Sequence, residues 1–347
     1  MLQNGCDAIF SFPSLRDLCI RDYECNTPTA AAVMSEYPHN LKALTRLDFS
    51  FSFCRCESAD VGRLLPLMPD LMSLTLRSPP GDEDRSLLIS EFGGALAVLT
   101  KLTLLDLSGT QLTVACAAEL ATSLHALSTL LCLVLNTVVS ADAFSGGGDS
   151  EAVSSALARG LAASDSVREL RLEQSFLPPE SLAAVMQGMP QLFNLQLSGT
   201  ELGEAGARWL SKGIMHSCGL RELNLSQTFL DPPSLHALAP ALAALGSLTL
   251  LNLSYNQMGR EGAAELAEAL CPQMSARKRK SVAALPQLVV LDLSFSRIGR
   301  EGLAALQSGL LSLPSLRELN LRQGERVVST STLEELRSAS PDLYILY

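Results

Sequence analysis

Aromatic residues are scarce in this chain: one Trp, five Tyr and eleven Phe make up 5% of 347 residues. A core with so few rings must be aliphatic, and Leu and Ala dominate a hydrophobic share of 47%. Basic residues are also short, with 26 Lys and Arg against 36 Asp and Glu, for a formal net charge of −10. That balance opposes nucleic-acid binding, which needs Lys and Arg to displace counterions from phosphates. It weakly favours a basic partner. The nine cysteines include no CxxC pair, and their spacing is irregular apart from Cys54-Arg55-Cys56. An odd count so arranged argues against a disulfide framework or a zinc site. The amino terminus, MLQNGCDAIFSF, has neither a basic stretch nor a long apolar run. No secretory signal is read there, and a reducing, cytoplasmic setting is expected.

Catalytic motifs are missing as well. His39, His125, His216 and His236 form no HxxxH or HxE pair. Gly146-Gly147-Gly148 runs into Asp149 rather than the Lys-Ser/Thr of a phosphate loop, and no Ser stands in a GxSxG elbow. The expectation is a non-enzyme with no catalytic residue, cofactor, metal or small-molecule substrate. One run does resemble a membrane span in length and apolarity: ATSLHALSTLLCLVLNTVVSA, residues 121–141, has no formal charge.

The repeat pattern resolves that run. LxxLxL recurs with starts at Leu15, Leu44, Leu71, Leu102, Leu130, Val167, Leu192, Leu220, Leu248, Leu288 and Leu316, and a partial copy begins at Leu343. The commonest spacing is 28 residues, as from Leu192 to Leu220 to Leu248. Within each copy the last two apolar residues flank a polar one, as in a half-buried strand. A second apolar set follows at helical spacing, such as Leu202, Trp209 and Leu210, then Met258, Leu266 and Leu270, then Ile298, Leu303, Leu306 and Leu310. Proline often stands just before the next strand, where it prevents the helix from continuing. Gly206, Gly262 and Gly302 recur at one offset and read as close packing points. In this phase residues 121–141 are the end of a helix and then a strand with Leu130, Leu133 and Leu135 inward, so no membrane span is expected. The sequons at Asn224 and Asn252 fall within strands, where a glycan would be crowded.

On these residues the chain resembles leucine-rich repeat proteins of the ribonuclease-inhibitor type, which alternate a strand with a full helix. The resemblance implies an α/β fold: a curved right-handed solenoid, or horseshoe, with an inner parallel β-sheet and outer α-helices. About eleven full units and a truncated twelfth would form a single domain over 1–347. That family often places Asn or Cys at the ninth position to bond backbone groups in the turn. Here Asn256 is Asn, while Ser52, Thr110, Ser175, Thr200, Thr228 and Ser296 offer a hydroxyl. Pro79, Val138 and Gly324 offer neither, so less regular turns are expected there.

Two units are longer, with insertions at 140–150 and 271–282. Asp149 or Ser150 reads as the N-cap of the next helix. Arg277, Lys278, Arg279 and Lys280 form a dense basic run flanked by Ser275 and Ser281. It suits a nuclear-import signal, a kinase site, an acidic-partner contact or a solvated loop without a role. Beside the first insertion, Cys132 and Val134 stand where most units place polar residues, and either Ala143-Phe144 or a partner is expected to fold over that gap.

Binding would then fall to the concave face. Its fifth-position stripe includes Arg171, Gln196, Asn224, Asn252, Asp292 and Asn320, with Phe51, Tyr255 and Phe295 at the eighth position and Arg322 nearby. Aromatic anchors beside hydrogen-bonding groups match the composition of interface hot spots. Tyr255, Phe295, Asn252, Asp292, Asn320 and Arg322 are expected to cluster. The reading is a non-catalytic protein-interaction scaffold. Two alternatives are a Ran-type activator of a small GTPase, similar in repeat type, and the sensor or adaptor portion of a larger receptor or ubiquitin-ligase protein.

Overall fold

The computed structural model describes residues 15–21, 38–50, 62–77, 88–89, 93–138, 149–175, 177–215, 217–271, 284–323 and 330–347. They fall into two compact units, Met1–Leu177 and Pro178–Tyr347.

In the first unit, strands β1 (Asp17–Arg21), β2 (Arg46–Ser50), β3 (Ser73–Arg77), β5 (Leu104–Asp106), β7 (Cys132–Val134) and β8 (Glu169–Arg171) pair in parallel, each with the next. A separate parallel pair joins β4 (Leu88–Ile89) to β6 (Gln111–Leu112). Helices α1 (Pro38–Leu41), α2 (Gly93–Leu96), α3 (Val114–Ala126) and α4 (Asp149–Ala162) lie between the strands in sequence. In the second unit, β9 (Asn194–Gln196), β10 (Glu222–Asn224), β11 (Leu250–Asn252), β12 (Val290–Asp292), β13 (Glu318–Asn320) and β14 (Tyr344–Leu346) pair in the same way. They alternate with α5 (Pro179–Gly188), α6 (Gly203–Ile214), α7 (Pro232–Ala244), α8 (Gly259–Leu270), α9 (Gly299–Leu311) and α10 (Thr330–Ala339).

Register follows the repeat. The fourth-position residues Leu18, Leu47, Leu74, Leu105, Leu133 and Leu170 stand side by side across the first unit. Leu195, Leu223, Leu251, Leu291 and Leu319 do so in the second, joined by Ile345, whose pairing with Leu319 places the start of the last, partial copy at Asp342, one residue before the Leu343 expected from the leucine pattern. All are buried. A slip of one residue would turn each row to the opposite face and expose it, so the leucine pattern sets the pairing. Each buried leucine contributes on the order of 1.5–3 kcal/mol. The described part of that run, residues 121–138, divides as its phase implies, into the end of α3 and then β7. Among the described residues, no helix is long and apolar enough to cross a membrane.

The helices present the expected apolar sets inward: Met258, Leu266 and Leu270 near α8, and Ile298, Leu303, Leu306 and Leu310 near α9, are buried. Trp209 departs from its expected set. Gly206, Ala207, Leu210 and Ile214 take the inner face of α6, and Trp209 is left exposed, with the Lys212 ammonium 4.1 Å from its ring centroid. Close packing holds at Gly262, where an added Cβ would meet Leu235 at 2.9 Å. It is tighter at a position the repeat did not single out. A Cβ on Gly160 of α4 would stand 2.3 Å from the Ala121 Cα on α3.

The ninth-position hydroxyls close their turns. Thr110, Thr200 and Thr228 each donate to the carbonyl three residues earlier at 2.7 Å. Ser175 and Ser296 instead reach back to the preceding repeat, to the carbonyls of Leu135 at 2.6 Å and Leu253 at 2.8 Å. Asn256 does both jobs. Its Nδ2 donates to the Leu225 and Leu253 carbonyls, and its Oδ1 accepts from the N–H groups of Thr228 and Leu230. The Val138 turn is built differently, as its side chain required. Val138 is buried, and Asn136, two residues earlier, accepts the Glu173 N–H at 2.9 Å. Helix α4 starts at Asp149, so Asp149 and Ser150 occupy its first turn rather than preceding it. Ser52, Pro79, Gly324, the basic run 277–280 and Ala143-Phe144 lie outside the described residues.

Two substitutions test this packing. Asn256→Ala strands the two buried N–H groups of Thr228 and Leu230, each costing about 1–3 kcal/mol, and is expected to lower unfolding free energy by about 3 kcal/mol in urea titration. Gly160→Ala forces α3 and α4 apart at backbone level. It is expected to cost about 1–3 kcal/mol and to lower the melting temperature. An unchanged melting temperature would contradict the close approach.

Candidate protein-binding face

A strand that ends and turns leaves backbone N–H groups without ladder partners, and these need acceptors. The fifth-position side chains supply them. Asn224, Asn252, Asp292 and Asn320 each accept, through Oδ1, the N–H two residues on, from Ser226 at 3.0 Å, Ser254 at 2.9 Å, Ser294 at 2.9 Å and Arg322 at 3.3 Å. Asp106 does the same for Ser108 in the first unit, at 3.0 Å. These are turns in which a short side chain substitutes for a backbone carbonyl. The polar stripe read as open hydrogen-bonding surface is therefore partly committed within the fold. Further bonds add to this: between neighbouring strands Asn320 Nδ2 donates to Asp292 Oδ2 at 3.1 Å and Asn194 to Glu222 at 2.8 Å, and within β9 Gln196 donates to Asn194 at 2.7 Å.

The row Gln196, Asn224, Asn252, Asp292 and Asn320 is continuous across the second unit. Arg171 belongs to the first unit, where its guanidinium pairs with Glu169 at 2.5 Å on the same strand. Nearby in that unit, Arg77 reaches the buried Asp106 at 2.6 Å. Cys132 neighbours Glu169 in register. Burial first, and then the Glu169 carboxylate, pushes the Cys132 thiol up to about 11, so it stays protonated at neutral pH. Val134 is itself buried. The apolar gap expected at Cys132 and Val134 thus reduces to the half-buried thiol.

Beyond the stripe, the eighth position has an unusual backbone. Gly109, Thr137, Gln174, Gly199, Gln227, Tyr255 and Phe295 all have φ between 52° and 74°, the left-handed region. Glycine enters it freely; a bulky side chain there is an outlier. Tyr255 at φ 56° and Phe295 at φ 54° occupy it nonetheless. The repeat imposes this geometry, because the N–H at that position donates to the next repeat: Tyr255 to the Ser294 carbonyl at 2.8 Å and Phe295 to the Arg322 carbonyl at 2.6 Å. The two rings stack at 4.7 Å between centroids and 18° between planes, yet stay 53% and 39% exposed. Backbone strain of this kind costs about 1–3 kcal/mol per residue. One aromatic pair returns about 0.5–1.5 kcal/mol. Because Thr137, Gln174 and Gln227 share this backbone, what sets Tyr255 and Phe295 apart is the pair of exposed, stacked rings.

All six residues expected to cluster are brought together: Asn252, Asp292 and Asn320 in one row, Tyr255 and Phe295 stacked at its end, and Arg322 bonded through its carbonyl to Phe295. Phe229 was not singled out from sequence. It is 54% exposed with φ 58°, at the tenth position, which Arg297 also occupies with φ 55°. Its signal was the rarity of aromatics together with polar residues at that position in other units, such as Glu201, Gln257 and Arg297. Among the described residues, no group of three or more His, Cys, Asp or Glu is arranged to hold a metal ion.

A family model described as "Leucine Rich repeat" matches residues 247–267 and 285–306. Porcine (Sus scrofa) ribonuclease inhibitor is 37% identical over 100 residues, 28% of this chain and 22% of that protein. NACHT, LRR and PYD domains-containing protein 9 of Bos taurus is 38% identical over 90 residues, 26% of this chain and 9% of that protein. Protein 12 of the same name, from Homo sapiens, is 35% identical over 92 residues, again 26% and 9%. The matches thus span less than a quarter of each of these relatives. A solved internalin (inlF) from Listeria monocytogenes aligns over 99% of this chain and 94% of its own, with 14% identity and a TM-score of 0.46. The 28-residue strand–helix unit, the leucine rows in register and these sequence likenesses identify the chain as a leucine-rich repeat protein of the ribonuclease-inhibitor-like type.

Proposed function

We propose that this protein is a non-catalytic scaffold that binds a partner protein on the sheet face of its second unit, with Tyr255 and Phe295 as anchors. The observation that carries this reading is the stacked pair: two exposed rings at a position that glycine or a polar side chain fills in the other described units, as in Gly109, Thr137, Gln174, Gly199 and Gln227. Asn252, Asp292, Asn320 and Arg322 form the polar border, and Gln196 and Asn224 extend it along the row. Leucine-rich repeats commonly serve protein interaction, and one relative is by name an inhibitor of ribonuclease. A ribonuclease is accordingly the first purified partner to try, in a cytoplasmic setting. A second reading draws on the relatives whose names join these repeats to NACHT and PYD domains. In it, the repeats are the recognition portion of a larger protein, and the binding face is the same.

Affinity purification with wild type and with Tyr255→Ala/Phe295→Ala tests the site. The double variant is expected to lose at least tenfold of a specifically recovered partner; equal recovery of every partner would remove the proposed patch. The strain has its own test. At an ordinary exposed position Ala is more stable than Gly, but in the left-handed region the order reverses by about 1 kcal/mol. Tyr255→Gly is expected to be more stable than Tyr255→Ala in urea denaturation, with both weakened in binding.

A further inference from the structure

The same rim also bears on the chemistry of the partner, an inference that rests on Tyr255 and Phe295 being a binding site. The chain as a whole is acidic. The side chains immediately beside Phe295 are not. Arg297 follows it by two residues, is exposed, and also has left-handed backbone at φ 55°. Arg322 is exposed on the next repeat, and its carbonyl accepts the Phe295 N–H. Neither guanidinium forms an ion pair among the described residues. Other arginines of this unit do: Arg208 with Glu204, Arg260 with Glu301 at 2.8 Å, and Arg317 with Asp342 at 3.3 Å.

Among the described residues, two acidic side chains of this face bear on that rim, Asp292 and Glu318. Asp292 is engaged through both oxygens, by the Ser294 N–H and by Asn320 Nδ2. Glu318 stands at the other end of its strand, four residues before Arg322, or about 13 Å at the rise of an extended chain. That exceeds the screening length of about 8 Å at physiological ionic strength, so among the described residues the two guanidinium groups outweigh the one nearby carboxylate, Asp292, which keeps its charge while accepting those two bonds. Arg also grips carboxylates in a bidentate fork that lysine cannot form.

We propose that the rim formed by Tyr255, Phe295, Arg297 and Arg322 recognises an acidic segment of a partner protein, in which an apolar side chain lies against the stacked rings and flanking carboxylates engage the two arginines. The partner's contact segment is thus opposite in charge to what the net charge of the chain implies.

Panning a display library of random twelve-residue peptides on the intact protein tests this, with Arg297→Glu/Arg322→Glu and Tyr255→Ala/Phe295→Ala in parallel. All four side chains are exposed, and a melting curve for each variant verifies folding. Enrichment of peptides carrying Asp or Glu beside an apolar residue is expected, lost with either variant and falling at least fivefold between 50 and 300 mM salt. Enriched basic or neutral peptides that depend on Tyr255 and Phe295 would overturn the charge assignment and leave the aromatic site standing. No enrichment of wild type over the aromatic variant would overturn both.

Discussion

The whole structure depends on one constraint: a strand and its helix cannot bury their leucines unless the next repeat stacks in register. The fourth-position rows show this directly, Leu18 to Leu170 in one unit and Leu195 to Ile345 in the other, each side by side with its neighbours. A lone unit would expose most of its apolar surface and could not offset the entropy of ordering its backbone. Leucine suits the task because identical side chains at a fixed spacing fill identical gaps. The few aromatic rings are consequently free to appear elsewhere, and several stand in solvent, among them Phe229, Tyr255 and Phe295.

A second requirement comes from the first. Strands of three to five residues, closely stacked, must turn sharply, and each turn leaves backbone N–H groups to be satisfied. The fifth-position Asx side chains accept some, Asn256 and the ninth-position hydroxyls close others, and the eighth residue is held in the left-handed region so that its N–H reaches the next repeat. Part of the polarity of the inner face is therefore structural. What remains free for a partner is concentrated at the rim, where side chains are carried by backbone that the turn has already fixed. A rigid, exposed aromatic pair loses little entropy on binding, which is the property an anchor needs.

Charge divides in the same way. Acidic residues outnumber basic ones over the chain, but several of the arginines on the helices and at strand starts are paired. Arg297 and Arg322 at the rim are not paired among the described residues. Solvent ions screen the distant carboxylates, and among the described residues the two arginines outnumber the nearby Asp292, so the net charge and the character of one contact region diverge.

Repeat length, strand and helix order, register and the inward leucines were legible in the sequence, because each depends on spacing along the chain and on nothing else. The hydroxyls at Thr110, Thr200 and Thr228 were legible for the same reason, since their bonds stay within one turn. Trp209 misled because helical spacing alone does not say where an apolar set ends; Leu210 and Ile214 already fill the inner face of α6. The commitment of Asn224, Asn252, Asp292 and Asn320 to backbone N–H groups, the 2.3 Å approach at Gly160, and the left-handed backbone beneath Tyr255, Phe295 and Arg297 were decided only by the tertiary structure. Sequence names a side chain and its phase. How far it stands from a neighbouring repeat, and which backbone group it must satisfy there, is settled when the repeats stack.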